Sequence, residues 1–232
     1  MGAFPLPRHD GRLAAAVMLL FAAVYAAILV APAFAAPSGR PLKLVALGDS
    51  LTAGYQLPAD AAFPAVLERA LRAKGHDVAI ANAGVSGDTT TGGLDRVDWS
   101  VPDGTDGVIL ELGANDMLRG TDPAVPAKAL DAIVARLKAR GIPVLLAGMR
   151  ASLNLGPDYV ARFDAIYPEL AERYGLILYP FFMQGMAGQE GMTLPDRLHP
   201  NAKGVETIVA GILPSVEEFL GRLQKMPQET GK

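Results

Sequence analysis

Hydrophobic residues along the chain fall into short apolar runs separated by longer segments with helical periodicity. The apolar runs are brief, rich in branched side chains and bounded by glycine or proline, which is typical of buried strands. Five strands are predicted on this basis, at residues 42–47, 78–81, 108–112, 143–147 and 176–179. Because strands alternate with helices, we expect a mostly parallel sheet with helices on both faces, in a single three-layer α/β/α domain.

Proline and acidic residues set the expected helix boundaries. Asp60 is expected to cap a helix that carries Pro64 in its first turn. The segment 158–174 is predicted to form one helix because its apolar side chains share a face. Pro214 is expected to kink or interrupt the last helix, since proline lacks the backbone donor. Residues 180–195 have no regular periodicity and are predicted to be irregular.

The first 35 residues have the pattern of a secretory signal peptide. Arg8 and Arg12 supply positive charge, residues 13–30 form an uncharged apolar run, and residues 33–35 read Ala-Phe-Ala. This small-x-small site favours cleavage before Ala36, which would release a periplasmic or secreted protein. The alternative is an uncleaved anchor, because the apolar run is about long enough to span a bilayer.

Composition narrows the chemistry that the chain can carry. The 232 residues include no cysteine and three histidines, and the formal net charge is -3. The lack of cysteine excludes a thiol nucleophile and cysteine-based metal sites, and no basic cluster points to nucleic acid. Beyond the signal, His76 is expected in an exposed loop, and only His199 remains, so a histidine-rich metal site is not expected. The expected domain spans 36–223, followed by a polar tail at 224–232.

Residues that could carry chemistry follow the predicted strands. Ser50 follows the first strand, Gly87 the second and Asn115 the third. The carboxyl ends of parallel strands lie at one edge of a sheet, where ligands bind in open α/β folds, so these loops are expected to converge. After the fifth strand, Asp196 precedes His199 by three residues. The carboxylate could accept the Nδ1–H of the imidazole, leaving Nε2 free to take a proton from a serine hydroxyl.

Each of these features also has a plain structural explanation when taken alone. Asp49 or Ser50 could simply cap the next helix, and Asp196 could do the same further along the chain. His199 could be an ordinary surface residue. The glycine-rich segment 82–93 could be a flexible turn, although such loops also let backbone N–H groups approach a ligand closely.

Taken together, four short blocks resemble those of the SGNH hydrolases, also called GDSL esterases and lipases. They occur in the family's order, as Gly48-Asp49-Ser50-Leu51, Val85-Ser86-Gly87-Asp88-Thr89, Gly113-Ala114-Asn115-Asp116 and Asp196-x-x-His199. The resemblance implies a five-stranded, flavodoxin-like parallel sheet and hydrolysis through an acyl-serine intermediate, with neither metal nor cofactor. By position it implies Ser50 as nucleophile, His199 as base and Asp196 as the carboxylate that orients the base. It further implies an oxyanion hole formed by the N–H groups of Ser50 and Gly87 and the side-chain amide of Asn115.

The extended blocks Gly-Asp-Ser-Leu-Thr-Ala-Gly-Tyr and Pro-Phe-Phe-Met are similar to a bacterial periplasmic subgroup of thioesterases, lysophospholipases and arylesterases. The expected function is therefore an exported, monomeric esterase that acts on small-molecule esters or thioesters. The alternatives are a carbohydrate or peptidoglycan O-acetylesterase and, from another class, a non-catalytic binding module on the same fold. Loops 148–158 and 181–192 are the expected determinants of specificity. Ala114 stands where many relatives have glycine, which matters only if the backbone there needs a positive φ.

Overall fold

Five parallel strands form one sheet in the computed structural model, which describes residues 1–2 and 40–226. The strands are β1 (Leu42–Gly48), β2 (Val78–Gly84), β3 (Gly107–Glu111), β4 (Val144–Ala147) and β5 (Ile177–Tyr179). Their order across the sheet is β2-β1-β3-β4-β5, which is the flavodoxin-like order. The predicted α/β class and parallel five-stranded sheet are confirmed, although β2 continues to Gly84 instead of ending at residue 81.

Helices cover both faces of this sheet. They are α1 (Ser50–Ala53), α2 (Phe63–Ala73), α3 (Thr90–Ser100), α4 (Ala114–Leu118), α5 (Ala124–Ala139), α6 (Pro157–Asp164), α7 (Ile166–Tyr174) and α8 (Ala202–Lys225). Helix α2 packs on α8 at one face, while α5 lies between α3 and α7 at the other. Single turns of 3₁₀-helix occur at Ala59–Ala61 and Leu153–Leu155.

The strands are buried because helices lie on both sides of them. In β1 every side chain except that of Lys43 is buried, and all five residues of β3 are buried. Such strands read as nearly continuous apolar runs instead of alternating with polar residues. The exception in β3 is Glu111, an acidic residue with no exposed surface at the carboxyl end of the strand.

Two helix predictions were wrong in detail, and a third was wrong in one of its two alternatives, the interruption of the last helix. Asp60 does not cap α2: it lies in a 3₁₀ turn, and the cap position is Ala62, which makes no side-chain bond. The single helix predicted for 158–174 is divided between α6 and α7 at Ala165. The division lies within one turn before Pro168, which has no N–H to continue the helical ladder. Helix α8 is not interrupted, and it continues through Pro214.

His76 also differs from its prediction as an exposed loop residue. Its side chain is about three-quarters buried, and Nε2 lies 3.2 Å from an oxygen of Glu217 on α8. The imidazole therefore joins the loop after α2 to the last helix.

The possible membrane-associated segment predicted near the N-terminus is not part of the described structure. Residues 3–35 of the predicted signal peptide and residues 227–232 of the predicted tail lie outside the described residues. Within the described part, no helix is both long enough and apolar enough to cross a bilayer.

Candidate active site

The turn after β1 places Ser50 at the first position of α1. Asp49 caps this short helix, since its Oδ1 accepts the backbone N–H of Leu51 at 2.9 Å. Gly48 is required because a Cβ there would overlap the Thr52 hydroxyl and the Glu111 carbonyl. The capping role left open for Asp49 is thus real, and Ser50 lies in the first turn of the helix, where backbone N–H groups have no intrahelical acceptor.

Three side chains predicted from distant positions lie in one hydrogen-bonded chain. His199 Nε2 is 2.9 Å from Ser50 Oγ, and His199 Nδ1 is 2.8 Å from Asp196 Oδ2. The other carboxylate oxygen, Oδ1, accepts the backbone N–H groups of Leu198 and His199 at 2.9 and 3.0 Å. Arg197 has a φ of 59°, and this left-handed residue closes the turn between carboxylate and imidazole.

The carboxylate in this chain is held in its charged form. The N–H of Leu198, followed by the N–H and side chain of His199, lowers the pKa of Asp196 to about 2. A charged acceptor fixes the imidazole with Nδ1 protonated, which leaves Nε2 as the acceptor for a serine proton. The geometry is therefore suited to proton transfer between Ser50 and His199.

Tyr55 is a neighbour of the imidazole that the sequence argument did not single out as a site residue. The two ring centroids are 4.4 Å apart, and the rings are inclined by 36°. Gly54, with a φ of 79°, ends α1 and brings this tyrosine back over the site. The ring restricts the positions that His199 can take. The Gly-Tyr pair that ends the extended serine block was the sequence signal that could have identified Tyr55.

The groups predicted to bind an oxyanion lie around the same cavity as the serine. Gly87 has a φ of 82°, and a Cβ there would contact nothing within 4 Å, so its backbone conformation, not space, calls for glycine. Asn115 Nδ2 lies 2.9 Å from the Asp88 carbonyl and 3.1 Å from Asp49 Oδ2. Within residues 40–226, neither the N–H of Ser50 nor that of Gly87 donates to another protein group. Ala114 does not have a positive φ, so the condition under which this alanine would matter is not met.

A pair of buried carboxyl groups lies beneath the serine turn. Glu111 Oε2 accepts the Thr52 hydroxyl at 2.7 Å and the Asp49 N–H at 3.3 Å, while Oε1 is buried without a partner. Burial, together with the nearby charge of Asp49, raises the pKa of Glu111 well above its ordinary value. Burial likewise raises the pKa of Asp49. A single acid in the otherwise apolar run of β3 was the sequence signal that could have identified Glu111.

The cavity above the serine has a volume of about 740 Å³ and is mostly apolar. Residues from both predicted specificity loops border it. In the second loop, however, the side chains of Phe182 and Met186 are fully buried in the core and do not line the cavity. The apolar lining residues include Met117, Leu118, Met149, Leu153, Phe181 and Met183. Among the described residues, no three histidine, aspartate or glutamate side chains cluster as a metal ion would require.

A serine, an imidazole and a carboxylate at the carboxyl edge of a flavodoxin-like sheet define a hydrolase of the SGNH type. The chain belongs to the GDSL-like Lipase/Acylhydrolase family, whose family model matches residues 46–206. It is 41% identical over 159 residues to an arylesterase from Vibrio mimicus, covering 68% of this chain and 80% of that protein.

Two further relatives agree with this assignment. Thioesterase 1/protease 1/lysophospholipase L1 of Escherichia coli K12 is 38% identical over 159 residues, covering 68% of this chain and 75% of that protein. The crystal structure of AlinE4, an SGNH-hydrolase family esterase, is 45% identical with a TM-score of 0.66, covering 78% of this chain and 98% of that chain. The predicted family and the prediction of a carboxylic ester hydrolase are confirmed.

Proposed function

We propose that this enzyme hydrolyses carboxylic esters and thioesters through an acyl intermediate on Ser50. The observation that carries the proposal is the chain of contacts at 2.9 and 2.8 Å that joins Ser50, His199 and Asp196 beside an apolar cavity. Such a chain activates a serine hydroxyl, because the base is within hydrogen-bond reach and a third group orients it. All proposed groups come from one polypeptide, so a monomer suffices.

The proposed reaction has two halves. Ser50 Oγ attacks the carbonyl carbon while its proton passes to His199 Nε2, and the bond to the leaving oxygen or sulfur then breaks. His199 gives that proton to the leaving group, which departs as an alcohol or thiol. Water then attacks the acyl-serine, with His199 again taking and returning a proton, and the carboxylic acid is released. Asp196 stays ionised throughout and stabilises the transient imidazolium.

The negative oxygen formed in each half would be held by three donors. These are the N–H groups of Ser50 and Gly87, which no protein acceptor among the described residues occupies, and the amide of Asn115. Asn115 already donates to two acceptors, so its bond to the oxyanion would share a hydrogen with one of them. Preorganised donors of this kind supply a large part of the rate in acyl transfer.

The cavity favours an acyl chain over a sugar as the group next to the serine. Its volume of about 740 Å³ lies within the range of ligand pockets, and the apolar part of its lining comes mainly from methionine, leucine and phenylalanine side chains. Flexible thioether side chains adapt to different apolar ligands. We therefore place medium-length fatty acyl esters above O-acetylated carbohydrates as substrates.

Active-site labelling combined with a matched serine variant tests the proposal. A fluorophosphonate should label the wild-type enzyme once, at Ser50, and Ser50→Ala should abolish labelling and slow hydrolysis of 4-nitrophenyl butyrate roughly 10⁴- to 10⁶-fold. Ser152→Ala is the control, because this serine lines the same cavity. It should still be labelled once, at Ser50, and should still hydrolyse the ester. A folded wild type that is neither labelled nor active would instead indicate the binding module, and an active Ser50→Ala would show that Ser50 is not the nucleophile.

Acyl-chain preference separates the two esterase alternatives. We expect the specificity constant for 4-nitrophenyl esters to rise from acetate to butyrate and octanoate, because the longer chains bury more apolar surface in the cavity. A maximum at acetate, together with release of acetate from an acetylated glycan, would favour the O-acetylesterase.

We also propose that the protein is exported. The charged start, the apolar run at 13–30 and the Ala-Phe-Ala site at 33–35 support cleavage before Ala36 and a periplasmic or secreted product. N-terminal sequencing of the protein from fractionated cells tests this. An intact N-terminus in the membrane fraction would favour the anchor.

A further inference from the structure

Arg96 on α3 is a buried cation that the proposed reaction does not use. Its side chain is 7% exposed, and its carboxylate partner Asp88 is also largely buried. Nε donates to Asp88 Oδ2 at 2.7 Å, and Nη2 donates to the Gly48 carbonyl at 2.8 Å. Nη1 donates to the Ala83 carbonyl at 2.8 Å and to the Ser100 hydroxyl at 3.0 Å. Buried arginine is costly unless its donors are satisfied, and here all three nitrogens have partners.

The acceptors of Arg96 lie next to the proposed oxyanion donors. Gly48 ends β1 two residues before Ser50, and Ala83 lies at the end of β2. Asp88 directly follows Gly87 in the chain. The guanidinium therefore joins the ends of β1 and β2 to the loop that carries the N–H of Gly87. Its acceptor in β1, Gly48, lies two residues before Ser50, which carries the other oxyanion N–H.

Asp88 extends this connection to the third donor. Its carbonyl accepts from Asn115 Nδ2 at 2.9 Å, and its N–H donates to the Val85 carbonyl at 3.1 Å. A Cβ at Gly92 would overlap the Asp88 carboxylate, so glycine at that position lets the carboxylate lie over the first turn of α3. The ion pair thus holds the backbone of Asp88 in place. Gly87 is bonded to that backbone as the preceding residue, and Asn115 donates to its carbonyl.

We infer that Arg96, acting through Asp88, is the positioning residue of the oxyanion hole. The inference rests on the proposed function, because it assigns the ion pair to the placement of Ser50, Gly87 and Asn115 around a developing negative charge. A planar guanidinium with a fixed fork can bridge the Gly48 carbonyl and the Asp88 carboxylate at once, whereas a lysine ammonium is a single point. Displacement of donors by a fraction of an ångström weakens stabilisation of the transition state more than binding of the substrate.

Arg96→Lys tests this with kinetics expressed per active site. The concentration of competent sites is measured by end-point titration with a fluorophosphonate, so that unfolded protein does not count. We expect kcat per site on 4-nitrophenyl butyrate to fall roughly 10- to 100-fold, with KM changed by less than about threefold. The inhibition constant of a trifluoromethyl ketone, which binds serine as a tetrahedral oxyanion, should rise by a similar factor.

A second variant and a control complete the experiment. Asp88→Asn keeps the shape of the side chain but removes its charge, and it should produce the same kinetic pattern in weaker form. It provides the test if Arg96→Lys does not fold. Arg140→Lys is the control, because Arg140 also joins a helix to a loop, donating to the Val101 carbonyl at 2.6 Å outside the site cavity. Its kcat per site should match wild type.

The results separate failure of this inference from failure of the proposed function. If Ser50 is labelled in the wild type but kcat per site and the ketone constant are unchanged in Arg96→Lys or Asp88→Asn, Arg96 is only structural and the inference is wrong. If Ser50 is not labelled at all, the proposed function falls and the inference falls with it. A parallel loss in kcat and in ketone affinity, absent from Arg140→Lys, supports the positioning role.

Discussion

Replacement of the buried acid Glu111 by glutamine should change how stability depends on pH. Glu111 has no exposed surface, and burial followed by the charge of Asp49 raises its pKa well above the ordinary value of 4.5. Above that ordinary value the unfolded chain releases the proton while the folded chain keeps it. The folded state then binds more protons than the unfolded state, so the unfolding free energy decreases as pH rises.

The size of the effect follows from one proton. The slope is at most about 1.4 kcal/mol per pH unit, and it continues until the pH reaches the folded pKa of Glu111. Asp49 contributes its own slope, but burial raises its pKa only to about 6, so its contribution ends near that value. Above about pH 6.5 the difference between Glu111→Gln and wild type should therefore grow in favour of the variant, by at most about 1.4 kcal/mol per pH unit, until Glu111 ionises in the folded protein.

Urea unfolding followed by far-UV circular dichroism measures this difference. Trp99 is 72% exposed and is a poor reporter of the core. Glutamine resembles the protonated acid and can still accept from Thr52 and Asp49, so kcat per titrated site should stay close to wild type. Glu172→Gln, at an exposed position of α7, is the control and should show a constant difference. A constant difference for Glu111→Gln as well would show that this acid ionises in the folded protein as it does in the unfolded chain.

Two further substitutions test the site and its frame. Asn115→Ala should lower kcat per titrated site roughly 10²- to 10³-fold, because one oxyanion donor is lost, and a loss below about threefold would remove Asn115 from the mechanism. Gly113→Ala should lower the unfolding free energy measured in urea by about 2–5 kcal/mol, because φ is 120° and the added Cβ would overlap the hydroxyl of Tyr167. Gly141→Ala, with a φ of 71° and no atom near its Cβ, should lose only about 1–2 kcal/mol, and equal losses would contradict the steric argument.

Much of the candidate site was predictable because a parallel sheet gathers the ends of its strands. Ser50, Gly87 and Asn115 each follow a strand, and that placement alone predicts that they converge. The pairing of Asp196 with His199 is local, since three residues separate them. These predictions needed only the order of the elements and short-range spacing, both of which a single sequence contains.

The residues that support the site were harder to find because their partners are distant in sequence and depend on packing. Arg96 looks like one charged residue on an amphipathic helix, yet its acceptors include Gly48, 48 positions earlier. Asp116 is buried against Thr90, whose N–H and hydroxyl both lie 2.8 Å from its carboxylate. Hydrophobic periodicity reports which face of a helix is apolar, but it does not report which polar group crosses between two loops.

The buried polar groups join the loops of the site to one another and to the sheet beneath them. The loops after β1, β2 and β3 contribute one proposed oxyanion donor each, and loops of this kind are the mobile part of an α/β fold. Here Asn115 bonds to Asp49 and Asp88, and Arg96 bonds to Asp88 and Gly48, so each loop is joined to the other two. We expect burial of Glu111 to lower stability at neutral pH, while its bonds to Thr52 and Asp49 fix the turn that presents Ser50. Acids and a cation are therefore retained in a core that apolar side chains could fill, because apolar side chains could not hold the three loops in register with one another.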